Sequence, residues 1–352
     1  MNANAAPFST TLTRLLACRH PIICAAMGGP ARAELAAAVS KAGGFGLLGM
    51  VRESAATIEQ EIAAVRAATD QPFGVNLIPG GTKPELLDAE LDACLRARVP
   101  AMCFFWDVFP DVIERAKQGG ALVLYQVGSL DDALEAERAG ADAIIAQGVE
   151  AGGHVRGNVG LLTLLPEIAS RVRVPVVASG GIANGAGLAA ALALGAAGVH
   201  CGTAFLATHE SYAHEYHKQR IVDASAGDTV HTDIYAINWP VGSPVRVLAN
   251  SVTDEVRGHP FGNDPYSLPG EVIAEDEWGP IPKYSTVSPL RSTTGELEKM
   301  ALYAGQSSAL VHARESAEEV IQRILSEAVG TLDRLQAQRL PAPIRRRAHE
   351  TD

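Results

Sequence analysis

For its first two hundred or so residues the chain alternates short β-type runs with alanine-rich helical runs, and this rhythm restricts the fold more than any other feature. Strand candidates lie at 21–25, 44–48, 73–76, 101–105, 122–126, 143–146, 174–178 and 198–201. Between them, 32–41, 55–68, 84–97, 110–118, 130–139, 161–169 and 185–194 carry helical periodicity or helix-forming composition. Ser129 followed by Asp131 and Asp132 reads as a helix N-terminus, and Gly140 and Gly195 stand where helix C-caps belong. Eight strands separated by seven helices count out a closed TIM (β/α)8 barrel of the α/β class. An open doubly wound sheet is the runner-up.

After Thr208 the rhythm breaks. Residues 209–289 read as a helix, a strand at 228–234, a turn, a strand at 244–248 and then an irregular, acidic stretch at 255–289 punctuated by Pro and Gly. Helical pattern returns at 295–303 and 317–336. The expected organisation is therefore a barrel with C-terminal helices from 1–208 and 290–352, and a smaller inserted α+β domain at 209–289. That insertion follows the eighth strand, so it falls on the face where barrel active sites lie and can form a lid.

The net charge of −11 offers no basic patch for nucleic acid or for an anionic membrane surface. Cys18, Cys24, Cys94, Cys103 and Cys201 are scattered without metal-ligand spacing and read as reduced, mostly buried thiols. Residues 1–11 lack a basic segment followed by an apolar core, and no apolar run approaches the ~20 residues that span a bilayer. A cytoplasmic protein is expected. His214 and His217 fall on a predicted surface helix, where a solvated face is the reading taken over a zinc pair, so no metal site is expected. The run Arg345-Arg346-Arg347 reads as solvated surface.

Chemistry gathers at the strand ends. The sixth strand and the turn from Gln147 to Glu150 empty into Ala151-Gly152-Gly153-His154-Val155-Arg156-Gly157. Gly152 and Gly153 let backbone approach a ligand, and an imidazole there suits proton transfer. A glycine-rich surface turn with a solvated His is the bland alternative. Ser179-Gly180-Gly181 follows strand seven and Gly202-Thr203 follows strand eight, the two loops that commonly bind phosphate in this fold. Ala25, Met27 and Gly28 add a first loop at a strand end, while Asn76, Gln126 and Gln147 bring amides to the same mouth. No GxGxxG opens a βαβ unit, so a phosphate-anchored mononucleotide fits better than a Rossmann-type dinucleotide. Arg156 is the one cation of the His loop and can orient paired oxygens, and Trp106 with Phe105 supplies an apolar wall for an alkyl chain.

Several blocks closely resemble the nitronate monooxygenase family, formerly called 2-nitropropane dioxygenase. They are 21–27 (PIICAAM), 35–49 (LAAAVSKAGGFGLLG), 73–77 (FGVNL), the AGGH loop, 178–181 and Gly202-Thr203, continuing through 228–230, 244–250 and 303–307. The resemblance implies a TIM barrel carrying noncovalent FMN, and oxidation of alkyl nitronates by O2 to a carbonyl compound and nitrite. It assigns His154 as the catalytic residue. Asn76, Gln147, Gly180, Gly181, Gly202 and Thr203 would contact the flavin, with Gly305, Gln306 and Ser307 nearby. Implied partners are a small nitronate or nitroalkane and O2, without metal; a homodimer is left open. Cys24 and Ala26 depart from the Gln and Pro often found in the family, and Phe104-Phe105-Trp106-Asp107 is bulkier and more acidic than expected, which bears on substrate. NAD(P)H-dependent reductases of quinones or enoyl thioesters share the scaffold and remain the alternative, with a non-catalytic flavin or phosphate binder as a second.

Overall fold

Side-chain alternation within each strand sorts the core into two layers. The computed structural model describes residues 6–240 and 242–338; the Arg345–Arg347 run lies outside the described residues. Eight parallel strands form the central sheet: β1 (Ile22–Cys24), β2 (Gly46–Gly49), β3 (Phe73–Leu77), β4 (Ala101–Phe105), β5 (Leu122–Val127), β6 (Ala143–Gln147), β8 (Val176–Ser179) and β9 (Gly198–Cys201). The short strand β7 (Gly153–His154) lies outside this sheet. Neighbours run β1-β9-β8-β6-β5-β4-β3-β2. Closure comes where β1 meets the residue before β2: Cys24 N–H donates to Phe45 O (3.0 Å) and Phe45 N–H to Ile22 O (2.9 Å). The sheet is a closed barrel.

Ile23, Phe45, Leu47, Ala101, Cys103, Leu124, Ala143, Ile145 and Val177 point inward and form one apolar cluster with Leu12 and Leu16 of α1 (Thr11–Leu16), which plugs the N-terminal end. Their neighbours Ile22, Leu48, Val75, Met102, Val123, Ile144, Val176 and Val199 point outward, against the helices. The helix ring is α2 (Ala33–Lys41), α3 (Ala55–Ala68), α4 (Pro84–Arg96), α5 (Pro110–Gln118), α6 (Leu130–Ala139), α7 (Leu161–Ala169), α8 (Gly185–Ala193) and the one-turn α9 (Thr203–Leu206), with α12 (Ala317–Ala337) packed on α8. Ser129 caps α6 by accepting from Asp132 N–H (3.1 Å), and Gly140 ends it at φ 104°. Above the apolar inward layer the pattern changes to Asn76, Gln126, Gln147, Ser179 and His200, all buried. This polar ring is the floor of the site.

Beyond β9 the chain makes α10 (Glu215–Val222), β10 (Thr229–Thr232), β11 (Val245–Leu248), α11 (Ser251–Glu255), the hairpin β12 (Val272–Asp276) and β13 (Gly279–Pro282), and β14 (Thr294–Gly295). Strand β11 pairs with both β10 and β7, so the His loop is part of a second sheet. Three expectations are corrected. The stretch 255–289 is not irregular throughout, because β12 and β13 close a hairpin at Gly279 (φ 125°). Residues 295–303 form no α-helix: Gly295 adopts φ 116° and pairs with Ala274, and only Leu297–Lys299 make a 3-10 turn. Third, α10 is not a surface helix on its His217 side. His217 is buried between Tyr303 O (3.0 Å) and Ser288 Oγ (3.3 Å), and His214 caps the helix instead of facing a ligand. Among the described residues no helix is long and apolar enough to cross a membrane, and no group of three or more His, Cys, Asp or Glu could hold a metal ion.

Candidate active site

A cavity of about 510 Å³ opens at the C-terminal end of the barrel, floored by the polar ring. One end is built from backbone. Gly180 and Gly181 follow β8 with φ of 105° and 70°, a conformation that only glycine adopts without strain. Among the described residues, the N–H groups of Gly180, Gly181, Gly202 and Thr203 meet no protein acceptor. A carbon added at Gly202 would meet only Ala25 Cβ, at 3.5 Å, so nothing in the protein demands glycine there. Thr203 Oγ1 accepts from Gly305 N–H (3.0 Å), which leaves its own O–H proton for a ligand. Unpaired amides, a hydroxyl donor and open space together form an anion cradle. His200 lies beside it, its Nδ1 2.9 Å from Ser179 Oγ and its Nε2 buried without a partner; burial pulls its pKa down to about 4, so the ring is neutral.

The opposite end is built around His154. Two glycines place the loop by letting backbone meet backbone. A side chain at Gly152 would strike Gly305 N at 2.4 Å, and one at Gly157 would strike Gly128 O at 2.1 Å. Gln147 then pins the loop from the barrel rim: its Nε2 donates to His154 O (2.8 Å) and its Oε1 accepts from Arg156 N–H (3.1 Å). Arg246 of β11 donates to Val149 O (2.8 Å) from the other side. The His154 ring stacks on Trp239, with centroids 3.9 Å apart, lies edge-on to Trp106 at 5.9 Å and is tilted against Tyr303 at 6.1 Å. Its Nε2 is buried with no hydrogen-bond partner. Burial, aided by the nearby positive charge of Arg52, lowers its pKa to about 3, so the imidazole is neutral across the physiological range.

Of the residues singled out in the sequence, Ala25, Met27, Gly28, Asn76, Gln126, Gln147, Gly152, Gly153, His154, Ser179, Gly180, Gly181, Gly202, Thr203 and Ser307 line this one cavity. The Asn76 amide is spent on Cys103 O (2.9 Å), as Gln147 is on the His loop. Gly305 and Gln306 stand behind the lining, their N–H groups bound to Thr203 Oγ1 and Glu150 O. Trp106 and Arg156 also stand behind it. Arg156 is held by Asp107 (2.9 Å), lies within 4.0 Å of Asp132 and covers the Trp106 ring at 5.5 Å. The sequence reading missed Trp239, Arg52, Tyr303 and Trp278, all of which face the cavity. Trp239 and Trp278 lay in stretches read as turn or loop. The one available signal was that the chain's other two Trp fall in the segment expected to form a lid.

With this geometry in place, likeness to known proteins becomes informative. The nitronate monooxygenase family model matches residues 9–89 and 85–327. A probable nitronate monooxygenase of Staphylococcus haemolyticus is 29% identical over 364 residues, covering 90% of this chain and 97% of its own. Among solved structures, FabK from Thermotoga maritima superposes with a TM-score of 0.82 at 34% identity, covering 94% of this chain and 99% of that one. A nitroalkane oxidase from Streptomyces ansochromogenes gives 0.77 at 32% identity, covering 92% and 99%. The family match spans the barrel, the His loop and the returning 303–307 block; the chain belongs to the nitronate monooxygenase family and is a flavin-dependent oxidoreductase.

Proposed function

We propose that the protein oxidises alkyl nitronates with O2 to a carbonyl compound and nitrite, that it uses FMN, and that it accepts nitroalkanes after removing their α-proton. The observation that carries this reading is the His154 Nε2, a polar atom buried without a partner among Trp239, Trp106 and Tyr303. A buried polar group left unpaired costs about 1–3 kcal/mol and is kept where it meets a substrate. A neutral imidazole is in the proton-accepting form, and the same burial that keeps it neutral weakens it as a base until a substrate fills the site.

The residues present fit FMN. Amides of Gly180, Gly181, Gly202 and Thr203 with the Thr203 hydroxyl would take the phosphate, and the Gln126, Gln147, Ser179 and His200 floor would lie under the rest. FMN supplies the electron-transfer chemistry with O2; the chain supplies binding, orientation and a water-poor enclosure. Two nitronates and one O2 balance as two carbonyls and two nitrites, so no external reductant enters. Arg32, a cation at the cavity mouth, is bound to Glu53 (2.7 Å) and lies within 3.9 Å of Glu61, which leaves it poorly suited to a dinucleotide's extra phosphates.

A second reading, nicotinamide-driven reduction of a quinone or enoyl thioester, has one feature in its favour. Trp278 also lines the cavity and is 61% exposed, and a longer planar substrate can stack there. The His154→Ala variant separates the roles. Nitroalkane turnover should fall by roughly 10²–10⁴-fold while a preformed nitronate suffers much less. Equal loss on both substrates removes the proton-transfer role.

A further inference from the structure

The cation that faces the substrate end of the cavity is Arg52, three residues after β2. Its backbone adopts φ 60°, uncommon for a side-chain-bearing residue and a frequent mark of a position held for function. Its Nε donates to Gly81 O (2.7 Å), which fixes the plane of the guanidinium, and the group lies 4.7 Å from the Trp239 ring centroid. Trp239 in turn stacks on His154. Among the described residues the two terminal nitrogens of Arg52 have no acceptor.

The carboxylates that could neutralise it are otherwise engaged. Glu53 is bound to Arg32 at 2.7 Å, while Asp107 and Asp132 hold Arg156. Glu90, near Arg52, is fully buried with no side-chain partner, and burial pushes its pKa up to about 8 against the opposing pull of the Arg52 and Glu53 backbone N–H groups, which favours its uncharged form at neutral pH. An uncompensated guanidinium in a part-buried, aromatic-walled end of a cavity is costly unless an anion joins it. Its planar fork matches two coplanar oxygens on one atom. Beside it, Val51, Ile78, Phe105 and Trp239 form an apolar wall.

We propose that Arg52 binds the anionic head of the substrate, the paired oxygens of a nitronate, and that Val51, Ile78, Phe105 and Trp239 hold its alkyl chain. This rests on the nitronate reading above for the name of the anion and assigns to Arg52 the role that the sequence suggested for Arg156.

The test uses the flavin-loaded protein and two unreactive probes, propionate and its neutral isostere propionamide, titrated by the change in flavin absorbance. Wild type should bind propionate at least about 10-fold tighter than propionamide, and Arg52→Gln should lose about 10–100-fold on propionate and little on propionamide. Arg52→Lys, which keeps charge but not the fork, should fall between. No preference for propionate in wild type overturns the inference without recourse to any variant, and so does unchanged propionate affinity in an Arg52→Gln protein that retains its flavin. The probes do not turn over. An Arg52-dependent preference without nitrite release therefore sinks the nitronate reading and keeps the anion site, whereas nitrite release without that preference sinks the anion site alone.

Discussion

The two ends of the cavity are made from different material. At the cradle end, backbone amides of two consecutive barrel loops converge; positive φ at Gly180 and Gly181 carries the geometry, and the missing side chain of Gly202 leaves it open. At the His154 end, side chains arrive from four separate places: Arg52 after β2, Phe105 at the end of β4, His154 in the His loop and Trp239 ahead of β11. A backbone site demands particular residues at particular loop positions, so it is written locally. A stack such as Arg52–Trp239–His154 places no demand on any one local segment, and its members are ordinary residues until the fold joins them.

The largest effect should come from breaking the cradle end alone. Gly202→Val adds carbon where the nearest protein atom is Ala25 Cβ at 3.5 Å, so the fold should survive while FMN affinity drops by more than about 10²-fold. Circular dichroism and flavin titration check this; a yellow, fully loaded variant places the phosphate elsewhere. Gly180→Val is the poorer probe, because its carbon also meets Ala151 N at 3.1 Å.

Trp239→Leu attacks the other end. Removing the indole takes away one wall and the stacking partner of His154, and KM for a propyl nitronate should rise by about 10-fold, the worth of one well-buried side chain. Flavin affinity should stay within about 2-fold. If the flavin is lost and KM is unchanged, the two ends are not separable and the comparison fails.

The smallest effect is a change that should not appear. An ordinary His would lose its proton-accepting form as pH falls through about 6.5. His154, held down to about 3, stays neutral, so nitroalkane turnover should vary by less than about 2-fold between pH 7 and pH 5. Stability behaves differently over the same range. His20, His154, His200 and His217 are all lowered by burial to between about 3 and about 4, so the unfolded chain binds more protons than the folded one below about 6.5. Stability is therefore full above that point and is lost as pH falls toward 4, and Tm should drop accordingly. Turnover with a midpoint near 6.5, in protein that remains folded, contradicts a buried neutral His154.

The barrel was legible because short apolar runs alternate regularly with helix-forming runs, some of which carry their own caps, as at Ser129 and Gly140. Where tertiary contacts overrode local preference, legibility ended. Residues 295–303 have helix-forming composition, yet Leu302 O accepts from Leu248 N–H and Tyr303 bridges Val247, which draws the segment into extended form along β11. The hairpin of β12 and β13 was hidden by its prolines, Pro280 and Pro282, which are tolerated on an edge strand. Arg156 was singled out for standing beside His154 in sequence, but Asp107 and Asp132 claim it, and Arg52 reaches the cavity from over a hundred residues upstream.

The central claim is that the redox partner of this cavity is a nitronate with O2. Oxygen uptake and nitrite release from propyl nitronate, measured on the flavin-loaded protein without NAD(P)H, test it most directly. The account predicts both, at one O2 for every two nitrites. Absence of nitrite, together with rapid reduction of the flavin by NADH or NADPH and its reoxidation by a quinone, would contradict it.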